Sequence, residues 1–163
     1  MALRNILTDN HPVLRTRAQK VKKINGAVLR LIDDMAETMK ESRGAGLAAN
    51  QVGISKRIIL AVESLDEEEK IIELINPVCE SKEGENTGLE GCLSIPGCYG
   101  EVSRAERVTV TAMDRAGKEF LLEAEGFLAR ILQHEMDHLD GILFTDKAIR
   151  ILDPEELQSE EKV

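Results

Sequence analysis

The sequence has few aromatic residues, few histidines and cysteines, and no long apolar run. Its 163 residues include no tryptophan, one tyrosine, three phenylalanines, three histidines and three cysteines. No stretch is long enough to span a bilayer, and the first residues lack the apolar run of a secretory signal. These absences predict a cytoplasmic protein with no membrane partner.

The cysteines do not indicate a disulfide framework. Cys79, Cys92 and Cys98 are odd in number and irregularly spaced, and thiols in the cytoplasm stay reduced. A cysteine of this chain is therefore available as a metal ligand.

Acidic residues outnumber basic ones, and the net charge is -9. Proteins that bind nucleic acid usually carry a basic face, so no direct nucleic-acid binding is expected. The length and the 42% hydrophobic content suit one core, and no shift in composition divides the chain. We expect a single domain over residues 1–163.

Two segments carry apolar residues at helical spacing. They predict an N-terminal helix over residues 27–40 and a second helix over residues 125–139, each followed closely by a glycine. The pattern Asp153, Pro154 and Glu156 is typical of a helix start and predicts a short C-terminal helix. That helix belongs to a polar tail, which we expect to fray from about residue 147.

Short runs rich in β-branched residues lie between the two helices. They predict strands over residues 57–62, 71–76, 108–113 and 119–124. Residues 114–117 are suited to a hairpin, which favours antiparallel pairing. The predicted fold class is therefore α+β, with small antiparallel β-sheets packed around a central helix over residues 125–139.

This central helix contains the sequence His-Glu-Met-Asp-His at residues 134–138. Residues four apart lie one above the other on a helix, so His134 and His138 can reach a single metal ion. Glu135 projects beside them and can take a proton from a water that the metal activates. The remaining histidine, His11, precedes a proline and is expected to be structural or exposed.

A catalytic metal of this kind normally has three protein ligands, so one more donor is needed. One peptidase class uses HExxHxxGxxH, but the position of its third histidine is Phe144 here. Glu156 and Glu160 are possible donors, although their polar tail offers no rigid framework. Cys92 is the remaining candidate, because flanking glycine permits close approach to a metal. Cys79 and Cys98 are interpreted as packing residues.

A third segment, residues 44–53, combines small residues with a glutamine. Small residues permit close approach of the backbone, and the Gln51 amide can donate a hydrogen bond to a developing oxyanion. By itself this segment is a weak signal, since runs of glycine and alanine often only mark turns.

Together, GAGLAANQ at 44–51, EGCLS at 90–94 and QHEMDH at 133–138 resemble the three signature motifs of the peptide deformylase family. The likeness runs from about His11 to Asp146. It implies hydrolysis of the formyl group from N-terminal formyl-methionine of nascent peptides, with release of formate. It also implies a single divalent metal, usually Fe2+, with Zn2+ or Ni2+ as substitutes.

The resemblance assigns roles to residues of all three motifs. It implies that Cys92, His134 and His138 bind the metal and that Glu135 is the general acid and base. Stabilisation of the oxyanion is implied for the Gln51 side chain and the Leu93 backbone N–H. Partners implied by the family are N-formyl-methionyl nascent peptides and the ribosome.

The substrate is expected to lie along the first motif and the central helix. Gly44, Ala45 and Gly46 would pair with the extended peptide. The methionine side chain would enter a pocket lined by three residues of one helical face, namely Phe127, Arg130 and Ile131. We expect Arg130 to lay its methylene stem on the pocket wall and to hold its charged head outward.

Two further expectations concern the residues around the cysteine. Some family members carry an arginine where this chain has Tyr99, so a substrate contact by that residue type is in doubt here. Glu90 and Arg104 could form a pair that supports the cysteine segment.

Two other functions compete with this interpretation. An HExxH metallopeptidase would share the metal and Glu135 but take its third ligand from the tail. A non-catalytic metal-binding relative would need neither Gln51 nor Glu135, which argues against it.

Overall fold

The structure is a computed structural model that describes residues 2–8, 11–63, 70–153 and 155. The helices in this part of the chain are α1 (Gly26–Glu41), α2 (Gly126–Leu139) and α3 (Phe144–Lys147). The strands are β1 (Gly46–Ala48), β2 (Ile58–Val62), β3 (Ile71–Glu83), β4 (Asn86–Cys92), β5 (Ile95–Arg104), β6 (Arg107–Met113), β7 (Glu119–Glu125) and β8 (Ala148–Ile151). Short 3-10 turns cover Pro12–Arg15 and Ala49–Val52.

The strands form two antiparallel sheets. One sheet has the order β1-β2-β3-β6-β7, and the other has the order β4-β5-β8. Among the described strands, β1 and β4 are therefore edge strands. Strands β7 and β8 are the other two sheet edges, and β1 and β4 are the edge strands that carry residues of the first two motifs.

Helix α1 follows from its capping and its apolar face. The Asn25 side chain accepts a hydrogen bond from the Val28 N–H at 3.0 Å, which caps the first turn. Val28, Ile32, Met35 and Met39 recur at helical spacing and are buried. The helix packs this face on the core beside β1 and β2, and the prediction for residues 27–40 is confirmed within one residue at each end.

Helix α2 is central, as predicted, and contacts both sheets. It packs on β1, β2, β6 and β7 of the larger sheet. Its Gln133 side chain pairs with Ala105 at the end of β5, donating to the carbonyl at 2.9 Å and accepting from the N–H at 3.0 Å. The predicted α+β class, with antiparallel sheets around the HExxH helix, is confirmed, and structural neighbours described below share this fold.

The predicted strands are all present, but one is longer than expected. Strand β3 does not end at Asn76. It continues through Pro77 to Glu83, because Asn76 adopts a left-handed conformation (φ 53°) and the register with β6 shifts at this bulge. The predicted hairpin at residues 114–117 is confirmed, and Asp114 Oδ1 closes it by accepting from the N–H groups of Ala116 and Lys118.

The second sheet was not predicted from the sequence. No strand was predicted over residues 86–104, yet they form the hairpin of β4 and β5. Glycines and polar residues interrupt the regular alternation of apolar and polar side chains that normally reveals a strand. Cys92 therefore lies at the end of a strand, which holds its backbone by cross-strand pairing.

The C-terminal prediction was partly wrong. Residues 148–151 are not frayed but form β8, which pairs with β5. Pairing to a formed sheet supplies the order that the local sequence does not. The helix predicted after Asp153 falls outside the described residues, apart from Glu155. No helix in the described ranges is both long and apolar enough to cross a membrane.

Candidate metal centre and substrate cleft

Three potential metal donors converge where the end of β4 meets α2. The donor atoms of Cys92, His134 and His138 all lie within 4.8 Å of one another, and Cys92 Sγ is 3.3 Å from His138 Nε2. One thiolate and two imidazoles suit a late first-row divalent cation, and three protein ligands leave a position for a reactant. This group could hold a metal ion.

Local structure explains how the cysteine reaches the histidines. The β4–β5 pairing shifts register between Gly91 and Cys92, so the cysteine side chain is redirected at the end of the strand. At Gly91 the aromatic ring of Tyr99 lies so close that an added Cβ would sit 2.6 Å from it. Glycine at this position thus permits the close packing that supports the turn.

Glu90 of β4 is buried against β5 and α2, where it contacts His134 and two arginines, Arg104 and Arg130. Its carboxylate lies 2.8 Å from His134 Nδ1 and accepts two hydrogen bonds from Arg104, at 2.8 and 2.9 Å. Burial opposes its ionisation, but hydrogen bonds from Arg104 and His134 outweigh burial and hold the pKa of Glu90 well below its usual range. The expected contact between Glu90 and Arg104 is therefore present, and Glu90 reaches His134 as well.

The contact with Glu90 keeps a proton on Nδ1 of His134. An ionised carboxylate can only accept, so Nδ1 donates to it, and Nε2, which faces the other donors, is the nitrogen that can bind a cation in exchange for its own proton. Burial disfavours a charged ring, but Glu135 and Cys92 outweigh it and raise the pKa of His134 to about 10. These surroundings stabilise positive charge at the place where a cation would bind.

His138 is held in its neutral form. Burial, followed by the charges of His134 and Arg104, lowers its pKa well below the usual value. The Asn50 amide donates a hydrogen bond to its backbone carbonyl. Sequence reasoning did not assign a role to Asn50, although it stands inside the first motif.

The orientation predicted for Arg130 is wrong. Its head does not point to solvent: the guanidinium is buried and donates to Glu90 at 2.6 Å, to the Val102 carbonyl at 3.0 Å and to the Asn86 carbonyl at 2.7 Å. The buried Glu90 carboxylate attracts the charge inward, and none of the three partners is near Arg130 in sequence. Arg130 still lines the cleft described below.

Glu135 is almost fully buried beside the donor group. Burial raises the pKa of its carboxyl to about 7. Its Oε1 has no hydrogen-bond partner among the described residues, and its Oε2 lies against the Gly46 backbone, where an added Cβ would approach to 2.6 Å. An unpaired carboxyl with a pKa close to neutral is equipped to take and return a proton.

Gln51 is fixed beside the cysteine by its own backbone segment. Its Oε1 accepts from the Ala48 N–H at 2.9 Å, which turns the amide NH2 toward Ser94 Oγ at 3.1 Å and Cys92 Sγ at 3.6 Å. Ser94 is fully buried and was not assigned a role from the sequence, although it is the last residue of EGCLS.

A cleft of about 490 Å³ opens onto these groups. Its walls are β1 with the preceding residues, the β4–β5 hairpin and one face of α2. The residues predicted to bind substrate, as well as Leu93, all line it: Gly44, Ala45, Gly46, Phe127, Arg130 and Ile131. Phe127 is half exposed, whereas Ile131 is buried and also belongs to the core.

Cys98 and Tyr99 line the same cleft. The interpretation of Cys98 as a packing residue was therefore incomplete, since its side chain borders a cavity. Cys79, by contrast, is half buried against the core, as expected. His11 caps the first 3-10 turn and is exposed, which confirms that prediction. Glu156 and Glu160 lie outside the described residues.

A family model for polypeptide deformylase matches residues 3–153 of this chain. A peptide deformylase of Caldicellulosiruptor bescii is 50% identical over 158 residues, which cover 97% of this chain and 93% of the relative. Peptide deformylase 1 of Bacillus subtilis is 49% identical over 157 residues, which cover 96% and 97%.

Solved structures show the same similarity. A peptide deformylase from Legionella pneumophila superposes with a TM-score of 0.86 at 42% identity, covering 99% of this chain and 92% of that chain. A class I type b peptide deformylase from Acinetobacter baumannii, bound to Met-Ala-Ser, has a TM-score of 0.84 at 34% identity and covers 90% and 100%.

Proposed function

Because the chain belongs to the polypeptide deformylase family, we propose that Cys92, His134 and His138 hold the metal ion of a peptide deformylase. The enzyme class follows from the family match and from relatives that share half of their residues with it. The observation that carries the residue assignment is the convergence of three donor atoms beside a buried, unpaired carboxyl.

The cation we propose is Fe2+, with Zn2+ or Ni2+ able to replace it. A set of two imidazoles and one thiolate is compatible with all three. When bound, the cation supplies Lewis-acid chemistry that favours ionisation of a nucleophilic water. Both rings are suited to bind the cation. His134 directs its Nδ1 proton to Glu90, which leaves Nε2 for the cation, and His138 is neutral.

Proton transfer is assigned to Glu135. Its Oε1 takes the proton of the attacking water, and the raised pKa of the carboxyl allows the same group to return that proton to the leaving amine. The products are formate and a free N-terminal methionine. Since Glu135 follows His134 directly on α2, its distance from the ligands is set by the helix itself.

Stabilisation of the oxyanion that forms on the formyl oxygen is assigned to two hydrogen-bond donors. The Gln51 amide already points into the site, and the Leu93 backbone N–H lies in the turn that follows Cys92. Ala48 fixes the Gln51 amide before substrate arrives. Donors that are already aligned cost no reorganisation in the transition state.

We place the peptide between the edge strands β1 and β4. Its extended backbone would pair with Gly44–Gly46 on one side and lie along β4 on the other. The methionine side chain would contact Phe127, Ile131 and the stem of Arg130. Main-chain recognition suits an enzyme that accepts many sequences after methionine, and the Acinetobacter baumannii relative bound to Met-Ala-Ser supports a peptide in this cleft.

The proposed cellular location follows from the substrate. Formylated chains emerge from the ribosome in the cytoplasm, and we propose that the protein acts there. Direct binding to nucleic acid is not part of the proposal, which needs only the emerging peptide.

The test is formate release from formyl-Met-Ala-Ser by protein purified without oxygen, with acetyl-Met-Ala-Ser as the competing substrate. We expect release from the formyl peptide alone, loss of activity on removal of the metal, and recovery with Fe2+ or Ni2+. Glu135→Gln should be inactive while keeping its metal, and Glu123→Gln, an exposed residue of β7, should behave as wild type.

Other results would separate the alternatives. Metal binding without formate release would indicate a non-catalytic metal-binding protein. Cleavage of the peptide bond after methionine would favour a metallopeptidase. Activity in Cys92→Ala with unchanged metal content would show that the third ligand is wrong.

A further inference from the structure

The His134 ring is contacted by an aromatic residue that the proposed reaction does not use. Phe144 is the first residue of α3, and its ring centroid lies 6.1 Å from that of His134 with 22° between the planes. It is 1% exposed. This geometry is that of an offset stack between two nearly parallel rings.

The contacts of His134 leave one motion for Phe144 to restrain. Glu90 fixes the direction of Nδ1, but hydrogen bonds to a carboxylate tolerate a broad range of angles, so the ring can still tilt about that contact. His138 meets the ring edge-on, with centroids 5.0 Å apart and 68° between the planes. A flat group against the face of the ring opposes the tilt, which would otherwise turn the Nε2 lone pair away from a cation.

Phe144 is itself held from two sides. Asp146 Oδ2 accepts from the Leu143 N–H at 3.0 Å, and Arg15 of the first 3-10 turn pairs with Asp146 at 2.5 and 3.1 Å. On the other side, Lys147 pairs with Asp137 of α2 at 3.1 Å. The four-residue helix therefore cannot shift along α2 without breaking one of these contacts.

The position of Phe144 in the chain strengthens the argument. It lies where HExxHxxGxxH enzymes carry their third histidine ligand. The backbone after Gly141 thus returns to the metal site here as well, but it presents a ring that contacts a ligand instead of a ligand. Gly141 permits this return, because an added Cβ would lie 2.6 Å from the Arg15 carbonyl oxygen.

We propose that Phe144 is a positioning residue for the metal centre, which holds the plane of the His134 ring and thereby sets the metal affinity and the ligand geometry. This proposal rests on the proposed function insofar as His134 must be a metal ligand. It assigns no chemical step to Phe144.

The experiment compares Phe144→Leu with Phe120→Leu, the same substitution at a half-buried position of β7 outside the cleft. Each protein is loaded with Co2+, and the affinity is measured by competition with a chelator while the visible absorption spectrum reports ligand geometry. We expect Phe144→Leu to bind Co2+ about tenfold more weakly, as for other groups that orient a metal ligand. Its spectrum should shift, and Phe120→Leu should match wild type in both.

Wild-type affinity and spectrum in Phe144→Leu would overturn the proposal, as would equal changes in Phe120→Leu. If Phe144→Leu does not fold, Asp146→Asn decides, since it releases α3 from Arg15 at a partly exposed site. That variant should bind Co2+ a few-fold more weakly with a shifted spectrum, and unchanged values would overturn the proposal. Absence of Co2+ binding by the wild type would instead count against the proposed function.

Discussion

Nδ1 of His134 lies 2.8 Å from the carboxylate of Glu90, and the same carboxylate accepts hydrogen bonds from two buried arginines. Glu90 belongs to the small sheet and His134 to the central helix. One side chain thus links a proposed metal ligand, His134, to the β4–β5 hairpin that positions another, Cys92.

Glu90→Gln should weaken metal binding by about 10- to 100-fold, because an amide oxygen orients and polarises the imidazole less than a carboxylate does. It should also destabilise the protein by about 3 kcal/mol, since Arg130 loses its buried counter-ion and Arg104 keeps only Asp137. Chelator competition and thermal unfolding of the metal-free protein measure the two effects. The control is Glu101→Gln, which removes a partly exposed ion pair with Arg150 in the same sheet. It should change neither the metal affinity nor the stability appreciably. Equal metal affinity in both variants would contradict the role of Glu90.

Gln51→Met should lower kcat by about 10²- to 10³-fold with little change in metal content, because it removes an oxyanion donor. It also leaves the buried Ala48 N–H without its acceptor, at a cost of about 1–3 kcal/mol in stability. Formate release and unfolding measure these effects. Gln133→Met, which breaks comparable contacts with Ala105, should cost stability with a much smaller effect on kcat, and an equal loss of kcat in both would argue against the oxyanion role.

Gly46→Ala should reduce kcat/KM on the order of 10²-fold, because the added Cβ would lie 2.6 Å from Glu135 Oε2 and 2.7 Å from Ile131 and must displace the carboxyl. Metal content should stay as in wild type. Steady-state kinetics with metal analysis tests this. Gly26→Ala is the matched control, since its Cβ meets only the flexible end of Arg30, and a fully active Gly46→Ala would show that the close contact is not needed.

Glu135→Gln should stabilise the metal-free protein increasingly as the pH rises from about 4.5 to about 7. Burial raises the pKa of this carboxyl to about 7 from 4.5, so in this range the folded wild type holds a proton that the unfolded chain releases. Stability of the wild type therefore falls with pH across the range, and the loss is fully present above it. Unfolding in denaturant at pH 4.5, 6 and 8 checks the difference, on the order of a few kcal/mol at pH 8; a difference that is independent of pH would contradict the raised pKa.

The central helix and the two histidines could be predicted because the required information is local. A four-residue spacing within one helix places His134 and His138 on the same side whatever the helix packs against. The same holds for Glu135, whose position relative to His134 is covalent. Three matched motifs also made the family recognisable before any geometry was known.

The surroundings of the site could not be predicted in this way. Arg130 turns inward because of Glu90, which is 40 residues away, and Cys98 borders the cleft because β5 pairs with β4. Phe144 stacks on His134 only after the chain has turned at Gly141. Each of these depends on contacts between distant elements, and periodicity within one segment carries no signal for them.

The sequence by itself determined the α+β class, the central helix and the candidate groups for metal binding and proton transfer, because residue type and local spacing specify them. Only the tertiary structure decided how these groups are oriented and charged. Burial raises the pKa of Glu135, the ionised Glu90 keeps a proton on His134 Nδ1, and β1, β4 and α2 come together as walls of the cleft. The physical reason is that desolvation and hydrogen bonding depend on neighbours brought together by folding, which the order of residues along the chain does not display.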